Sequence, residues 1–300
     1  MPHPAVVIEI ASNHVAAARW GKMRGGLESF AAEPVGIGSI SPSPVEANVA
    51  KPDMVRTVLR RVMSRVQHHS GPVALLVPDP VVRVFILSFE NFPRRAHDAL
   101  PLLRWRLKKS VPFDVEETVV SWMRQARRDG NIEVMAAVAR REIIREYETI
   151  IEALGLTSGV VLSSTLASLP LLEERGATLL IRICGETLTT VIVNGPNVSV
   201  YRSTEMPAEG ALLEPQAMLE EIFPAVAYYQ DTWGGKIDRA RLAGFGVRAE
   251  LFRSALTAEM RIPAGTLADG VEAQHLASSA RDLIRQDHEA LVGWMMNGGS

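Results

Sequence analysis

The sequence predicts an α/β fold in which two similar units flank an inserted block. One succession of strand, loop, strand, turn, strand, helix and strand occupies residues 5–77, and the same succession recurs in residues 178–243. The residues between them follow a different order: strand, helix, strand, strand, helix. An internal duplication of this kind makes two similar lobes that face each other across a cleft.

The first unit begins with a buried strand at residues 5–10. Two extended segments, 15–22 and 27–34, follow and are joined by the turn residues 24–26. Pro52 then begins a helix whose apolar residues recur at i, i+3, i+4 and i+7, which is the period of a helix with one buried face. Residues 73–77 close the unit as another buried strand.

The second unit repeats these elements. Strands are predicted at residues 178–183, 188–194 and 198–203. A helix with apolar residues at helical spacing starts near Pro215, and residues 241–243 form the next strand.

The inserted block is predicted as a β-α-β-β-α subdomain. An extended segment at 82–87 precedes a helix with leucines at 100, 103 and 107, and residues 119–125 and 132–139 form a hairpin across Asp129-Gly130. A strongly amphipathic helix follows and ends at Gly155. We therefore expect three parts, 1–81, 82–156 and 157–300, with the C-terminal helix returning toward the first lobe.

Charge and composition restrict the possible functions. The net charge of −2 argues against a general nucleic-acid binder, although residues 83–145 hold 13 Lys and Arg against 8 Asp and Glu. One cysteine, Cys184, excludes a disulfide framework and a cysteine-based zinc site. The N-terminal residues have no basic segment before their short apolar run, and no apolar stretch approaches the roughly 20 residues that cross a bilayer. We therefore expect a cytoplasmic protein without a membrane span.

Several local stretches carry a resemblance to a known family. They are LRW at 103–105, SVPFD at 110–114, MAAVARRE at 135–142, ALGL at 153–156, EI at 221–222, YYQ at 228–230 and LVG at 291–293. Together they are similar to the PilM family of type IV pilus assembly proteins, and next to the cytoplasmic part of type II secretion L proteins. The resemblance implies an actin-like (FtsA- and PilM-like) two-lobed duplicated fold.

In that superfold one hairpin turn from each lobe holds the phosphates of a nucleotide, using an aspartate and a glycine. In the first turn, Glu9 replaces the aspartate and Ala11 replaces the glycine, whereas Ser12 and Asn13 keep hydrogen-bonding groups. Glu9 is long enough to reach a metal ion but is less well aimed than an aspartate.

The second turn departs further from the pattern. Arg182 stands at the aspartate position and Cys184 at a glycine position, before Gly185, Glu186 and Thr187. An arginine attracts phosphate but neither coordinates magnesium nor acts as a base. We expect Arg182 to form an ion pair with Glu186, and Cys184 to be a small core thiol.

The resemblance places an adenosine loop at residues 243–246, where Gly244 and Gly246 remain, and Glu221 on the preceding helix. The predicted vestigial nucleotide cleft therefore consists of Glu9, Ser12, Asn13, Gly185, Glu186, Thr187, Glu221, Gly244 and Gly246. Because phosphoryl transfer depends on the positions of metal and water, and both aspartates are replaced, we predict no catalytic residue, metal or cofactor. The alternative is an ATP-binding switch or slow actin-like ATPase using ATP and Mg²⁺; a sugar- or acetate-kinase-like enzyme lacks an identifiable catalytic carboxylate.

The resemblance implies a non-catalytic scaffold at the cytoplasmic side of the inner membrane, in a type IV pilus or type II secretion assembly platform. Its partner would be the N-terminal tail of a single-span, PilN-like membrane protein, and a homodimer is a further hypothesis. A short apolar peptide needs a hydrophobic slot or a free sheet edge. The candidate contacts lie in the inserted block: Trp105, Phe113 and Trp122, with Arg104 and Lys108 as steering charges.

Overall fold

Two five-stranded sheets with matching strand order form the two lobes. The structure, a computed structural model, describes residues 3–21, 26–173, 175–206, 213–271 and 276–297. The first sheet has the order β3-β2-β1-β4-β8 and the second the order β11-β10-β9-β12-β13. In each sheet, three antiparallel strands are followed by two that pair in parallel. The predicted duplication is therefore present in the pairing of the strands.

The elements of the first lobe follow the sequence pattern closely. Their bounds are β1 Val6–Ile10, β2 His14–Trp20, β3 Leu27–Pro34, α1 Pro52–Val66, β4 Gly71–Val77, α3 Arg141–Glu152 and β8 Leu156–Ser163. The apolar face of α1 is buried on the sheet, and the helix ends at Gln67, which is left-handed with φ 57°. The predicted turn at residues 24–26 lies largely outside the described residues.

The second lobe repeats the strands and has more helices. Its elements are β9 Ala177–Cys184, β10 Thr187–Asn194, β11 Asn197–Glu205, α5 Pro215–Trp233, β12 Arg239–Ala243, α6 Ala249–Met260, β13 Ala264–Thr266, α7 Leu267–Val271 and α8 Ser278–Arg285. The short helix α4 Ser164–Ser168 precedes this lobe, and α9 Glu289–Asn297 ends the described chain.

The inserted subdomain is a three-stranded sheet covered by one helix. It comprises β5 Arg83–Phe89, α2 Ala96–Leu107, β6 Thr118–Arg128 and β7 Asn131–Arg140, in the strand order β5-β7-β6. Asp129 and Gly130 have φ of 48° and 83°, as a two-residue hairpin turn with positive φ at both positions requires. Leu103 and Leu107 of α2 pack against one face of the sheet, in a cluster with Val134, Ala136 and Val138.

The amphipathic helix α3 packs on the sheet of the first lobe, and the expected division into 1–81, 82–156 and 157–300 stays a prediction. The apolar face of α3 joins the core of α1 and β1, and β8 pairs in parallel with β4. Glu146 accepts hydrogen bonds from the backbone N–H groups of Asn48 and Val49 at 2.8 and 2.9 Å. The sequence pattern shows that one face of α3 is buried, but it does not show which sheet covers that face.

The C-terminal helix α9 packs against both lobes. Ala290, Leu291 and Val292 are buried in a cluster that also holds Val7 of β1 and Val191 of β10. Within the described ranges, no helix combines the length and the apolar character needed to cross a membrane.

The anchoring of α3 to the first lobe can be tested with two glutamates of the same helix. Glu146→Ala leaves two backbone N–H groups without their acceptor, so the free energy of unfolding should fall by about 1.5–3 kcal/mol. Glu142→Ala, the matched control, removes an exposed pair with Arg140 and should change it by less than about 1 kcal/mol. Urea denaturation measures both; equal losses would contradict the placement of α3.

Candidate functional site

A cleft of about 500 Å³ lies between the lobes, where the turns of both sheets meet the C-terminal segment. Two residues of the first turn line it, Asn13 and His14, together with Arg182 to Gly185 of the second turn. Gly244, Phe245 and Arg248 contribute from the loop after β12, and Gln286, Asp287 and His288 from the residues before α9. The two turns touch: a β-carbon at Gly185 would collide with the hydroxyl of Ser12.

Arg182 is the centre of a buried ion cluster beneath this cleft. Its Nη2 lies 3.3 Å from Oε1 of Glu9 and its Nη1 lies 3.6 Å from Oδ2 of Asp79, while its Nε donates to Oε1 of Glu289. All four side chains are buried. Burial opposes the charge of Arg182, but the carboxylates around it, Glu289 foremost, raise the pKa of Arg182 well above its usual value. The guanidinium therefore stays charged.

The expected ion pair between Arg182 and Glu186 is corrected by this geometry. Arg182 lies on the same face of β9 as Leu180, which packs in the cluster shared by both lobes. Glu186 lies in the turn beyond the strand and is exposed. Cys184 is likewise not a core residue: it is half-buried and lines the cleft, where burial raises the pKa of its thiol to about 12.

Asp79 and Glu289 belong to this site and were missed by sequence reasoning. Asp79 follows β4 and accepts hydrogen bonds from the Thr165 backbone N–H at 2.9 Å, the Thr189 hydroxyl at 3.0 Å and the Tyr201 hydroxyl at 3.2 Å. Its position was available from the sequence, because a polar residue after β4 lies at the same sheet edge as the end of the parallel strand β1. Glu289 had no comparable signal, since only the packing of α9 brings it to Arg182.

The adenosine loop is occupied by the C-terminal segment. Gly244 has φ 80°, and a β-carbon there would collide with the carbonyl of Ile183, so the position requires glycine. Its N–H donates to Oδ1 of Asp287 at 3.1 Å. Phe245 packs against Phe252 rather than standing open for a base. The Gly244 N–H is therefore bound to a side chain of the same chain.

Two histidines lie beside Glu9 at the mouth of the cluster. Nε2 of His14 is 3.5 Å from Oε2 of Glu9, and the rings of His14 and His288 meet edge-on with centroids 5.3 Å apart. Burial raises the pKa of Glu9, but the neighbouring His14 and the charge of Arg182 outweigh it and hold the pKa at about 2. Burial lowers the pKa of His288. The sequence gives no metal-binding motif around His288, because no second histidine follows it one helical turn later.

The other residues of the predicted nucleotide site separate into two groups. Asn13, Gly185 and Gly244 line the cleft with Ser12 beside them, Glu9 lies beneath it, and Gly246 adjoins Asp287. Three predicted positions lie apart from it. Glu186 is exposed, Thr187 is buried in β10, and Glu221 on α5 pairs with Arg202 at 3.4 Å.

In the inserted subdomain the five predicted contact residues differ in exposure. Trp105 is 72% exposed and Lys108 is exposed, whereas Phe113 and Trp122 pack against the core under α2. Arg104 pairs with Glu116 at 2.9 Å.

The opposite face of β6 exposes apolar residues that sequence reasoning did not single out. Val119 is 36% exposed and Met123 is 48% exposed. The alternation of β6 was the available signal, because residues 119, 121 and 123 point away from α2 when Trp122 points toward it. Among the described residues, β6 forms a strand ladder with β7 alone, and toward its C-terminal end Gln125 and Ala126 are hydrogen-bonded to Val198 and Asn197 of β11.

The importance of the Arg182 cluster can be measured by comparing two arginines of the second sheet, Arg182 on β9 and Arg202 on β11. Arg182→Leu leaves three buried carboxylates without their guanidinium and should lower the free energy of unfolding by about 3–5 kcal/mol. Arg202→Leu on β11 removes a partly exposed pair with Glu221 and should cost less than about 1 kcal/mol. Thermal and urea melts that show the same small loss for both variants would refute the cluster's structural role.

Comparison with known proteins gives structural matches without sequence matches. No family model and no curated protein sequence matches the chain. The solved PilM–PilN type IV pilus biogenesis complex aligns with a TM-score of 0.80 at 15% identity, over 100% of this chain and 100% of that chain. A Bacteroides thetaiotaomicron protein of unknown function with an actin-like ATPase fold aligns with a TM-score of 0.52 at 9% identity, over 89% and 95% of the two chains.

The cytoplasmic domain of EpsL, an inner-membrane component of the Vibrio cholerae type II secretion system, aligns at 12% identity over 79% and 80% of the two chains. Its TM-score of 0.49 is too low to support an argument. At these identities the alignments establish the fold and not the activity. The chain has an actin-like fold similar to that of PilM, as the resemblance in its sequence implied.

Proposed function

We propose that this chain is a non-catalytic scaffold of a type IV pilus or type II secretion-like assembly platform. The observation that carries the proposal is Arg182, a cation at the position where the superfold keeps an aspartate for metal and water. Its guanidinium is paired with Glu9, Asp79 and Glu289, so these carboxylates are already engaged. The C-terminal segment also takes the Gly244 N–H. Both features oppose a Mg²⁺–nucleotide complex in the cleft.

The alternative, an ATP-binding switch or slow ATPase, rests on the size of the cleft. Its volume of about 500 Å³ is within the range of small-molecule sites. Its lining supplies Arg182 and Arg248 as cations, but Asp287 brings a carboxylate into the same space. For transfer chemistry a positioned metal and water are also required, and Arg182 occupies the position of the aspartate that would hold them.

The inserted subdomain is the proposed docking site for a short peptide. The edge of β6 before Gln125 has no partner strand and offers backbone hydrogen bonds, and Val119 and Met123 offer apolar contact beside it. Trp105 is a separate exposed aromatic on α2. The structure with the TM-score of 0.80 is a complex of PilM with PilN, and a PilN-like single-span protein is therefore the proposed partner. The chain would then be cytoplasmic and held at the inner membrane by its partner's N-terminal tail.

The nucleotide question has a direct thermal test. ATP with Mg²⁺ at millimolar concentration should leave the melting temperature unchanged, because Arg182 and Asp287 occupy the metal and loop positions. A nucleotide site filled at a hundred times its Kd would instead add about 2.7 kcal/mol and raise the Tm by several degrees. Mg²⁺ alone is the control, and a Tm rise specific to ATP with Mg²⁺ would favour the alternative.

The docking site is tested with a synthetic N-terminal tail of the single-span protein encoded nearest to this chain. Met123→Asp and Trp105→Ala should each weaken binding at least tenfold, because both remove exposed apolar contact while the core stays intact. Leu251→Ala, half-exposed on α6 in the other lobe, is the matched control and should bind normally.

Calorimetric titration of the tail gives the affinities, and melts confirm that each variant is folded. A cleft variant, Glu9→Gln, should retain tail binding. Loss of binding in the Glu9 variant with full binding in both inserted-subdomain variants would overturn this placement of the docking site.

A further inference from the structure

The turn between β1 and β2 brings two possible metal ligands together. Glu9 lies near the end of β1 and His14 begins β2, and the turn is closed by the backbone hydrogen bond from Ala11 N–H to the His14 carbonyl at 2.9 Å. His288 comes from the far end of the chain, immediately before α9. One ligand atom from each of Glu9, His14 and His288 lies within 4.8 Å of the other two.

The spacing of the atoms fits a single small cation. Zinc–nitrogen and zinc–oxygen bonds are about 2.0–2.2 Å long, so two ligand atoms at tetrahedral positions are about 3.4 Å apart. Nε2 of His14 and Oε2 of Glu9 are 3.5 Å apart. That separation is longer than a normal N–H···O hydrogen bond, for which about 2.9–3.0 Å is most common. The pair is therefore placed better for sharing a metal ion than for direct contact.

Neighbouring groups hold two of the ligands in a metal-binding orientation. Nδ1 of His14 lies 2.7 Å from Oδ1 of Asn13, so Nδ1 donates its hydrogen and Nε2 presents its lone pair toward Glu9. Oε1 of Glu9 is held by Arg182 at 3.3 Å, which leaves Oε2 for another partner. Metal-binding histidines and carboxylates in proteins are oriented by such outer hydrogen bonds.

One side-chain atom of each of these three residues lacks a hydrogen-bond partner in the part of the chain that the structure describes. Oε2 of Glu9, Nε2 of His14 and Nδ1 of His288 are buried without one. Buried polar atoms left in this state are costly and rare. A cation between them would satisfy all three residues at once.

The charge of the surrounding cluster favours an added cation. Glu9, Asp79 and Glu289 are three buried carboxylates that face a single guanidinium, Arg182. At formal charges this leaves an excess of two negative charges, which a divalent ion would neutralise.

We propose that Glu9, His14 and His288 form a binding site for one divalent transition-metal ion of the Zn²⁺ class. Two imidazoles and one carboxylate suit Zn²⁺, Co²⁺ or Ni²⁺, whereas Mg²⁺ and Ca²⁺ prefer oxygen ligands. Three protein ligands leave a fourth position for water or for a group entering the cleft. The site differs from the metal-free cleft that the sequence predicted, and it stands independently of the scaffold proposal.

A metal ion at this site would link the C-terminal segment to the first lobe. Two ligands come from the β1–β2 turn and the third from the residue before α9, so one ion joins the two ends of the chain. Bound metal would help to hold the neighbouring Asp287 against the Gly244 N–H.

The test uses the full chain stripped with EDTA and returned to metal-free buffer. Titration with Co²⁺ should give a visible absorption of tetrahedral intensity that saturates at one equivalent and is abolished by added Zn²⁺. Calorimetry with ZnCl₂ should show one site with a micromolar or tighter Kd, and Zn²⁺ should raise the Tm whereas Mg²⁺ should not. Wild-type protein without a one-equivalent Zn²⁺ or Co²⁺ site overturns the proposal.

Substitutions identify the ligands. His14→Gln and His288→Gln should each weaken Zn²⁺ binding at least tenfold, and His97→Gln, which changes an exposed histidine on α2, should bind as wild type does. Asn13→Ala changes an exposed residue that only orients His14, so it should fold normally and bind about 10–100-fold more weakly. If a ligand variant does not fold, the Asn13→Ala variant still tests the site. Unchanged affinity in Asn13→Ala and in every folded ligand variant would place the metal elsewhere and overturn the site.

Discussion

The contact of Arg182 with three carboxylates is the interaction on which the arrangement of this molecule depends. Glu9 comes from the first strand, Asp79 from the loop after β4 and Glu289 from the C-terminal helix, whereas Arg182 lies on β9 of the second lobe. One side chain therefore joins four separate segments of the chain. Moving the Arg182 guanidinium out of water costs free energy. Its attraction to the three carboxylates offsets this cost because they are held close to it by the surrounding fold.

This cluster also explains why an actin-like fold need not imply actin-like chemistry. The superfold brings the ends of two hairpins together, and that geometry survives in the contact between Ser12 and Gly185. In this chain the meeting point holds the Arg182 cluster, and Asp287 takes a loop N–H. The fold supplies a cleft, but the side chains decide what enters it.

Much of the architecture could be predicted from the sequence because it is encoded locally. The period of α1, the alternation of the strands and the Asp129-Gly130 turn each depend on neighbouring residues, and four strands of each sheet were predicted in this way. The fifth strands, β8 and β13, were not predicted. The sheet on which α3 packs could not be predicted, because the pattern of a helix shows that one face is buried but not which sheet covers that face. The partners of Arg182 were missed for a related reason: Glu289 is 107 residues away and reaches it only through the packing of α9.

The central claim is that Arg182 and its carboxylates act as one energetically coupled unit beneath the cleft. A double-mutant cycle with Arg182→Leu, Glu289→Leu and the double variant measures this directly, with unfolding free energies from urea titration. Because Glu289 is left as an unpaired buried charge when Arg182 is removed, the double variant should be more stable than the sum of the single losses implies, by more than about 1 kcal/mol. Additive losses would show that the two side chains contribute independently, and would contradict the account.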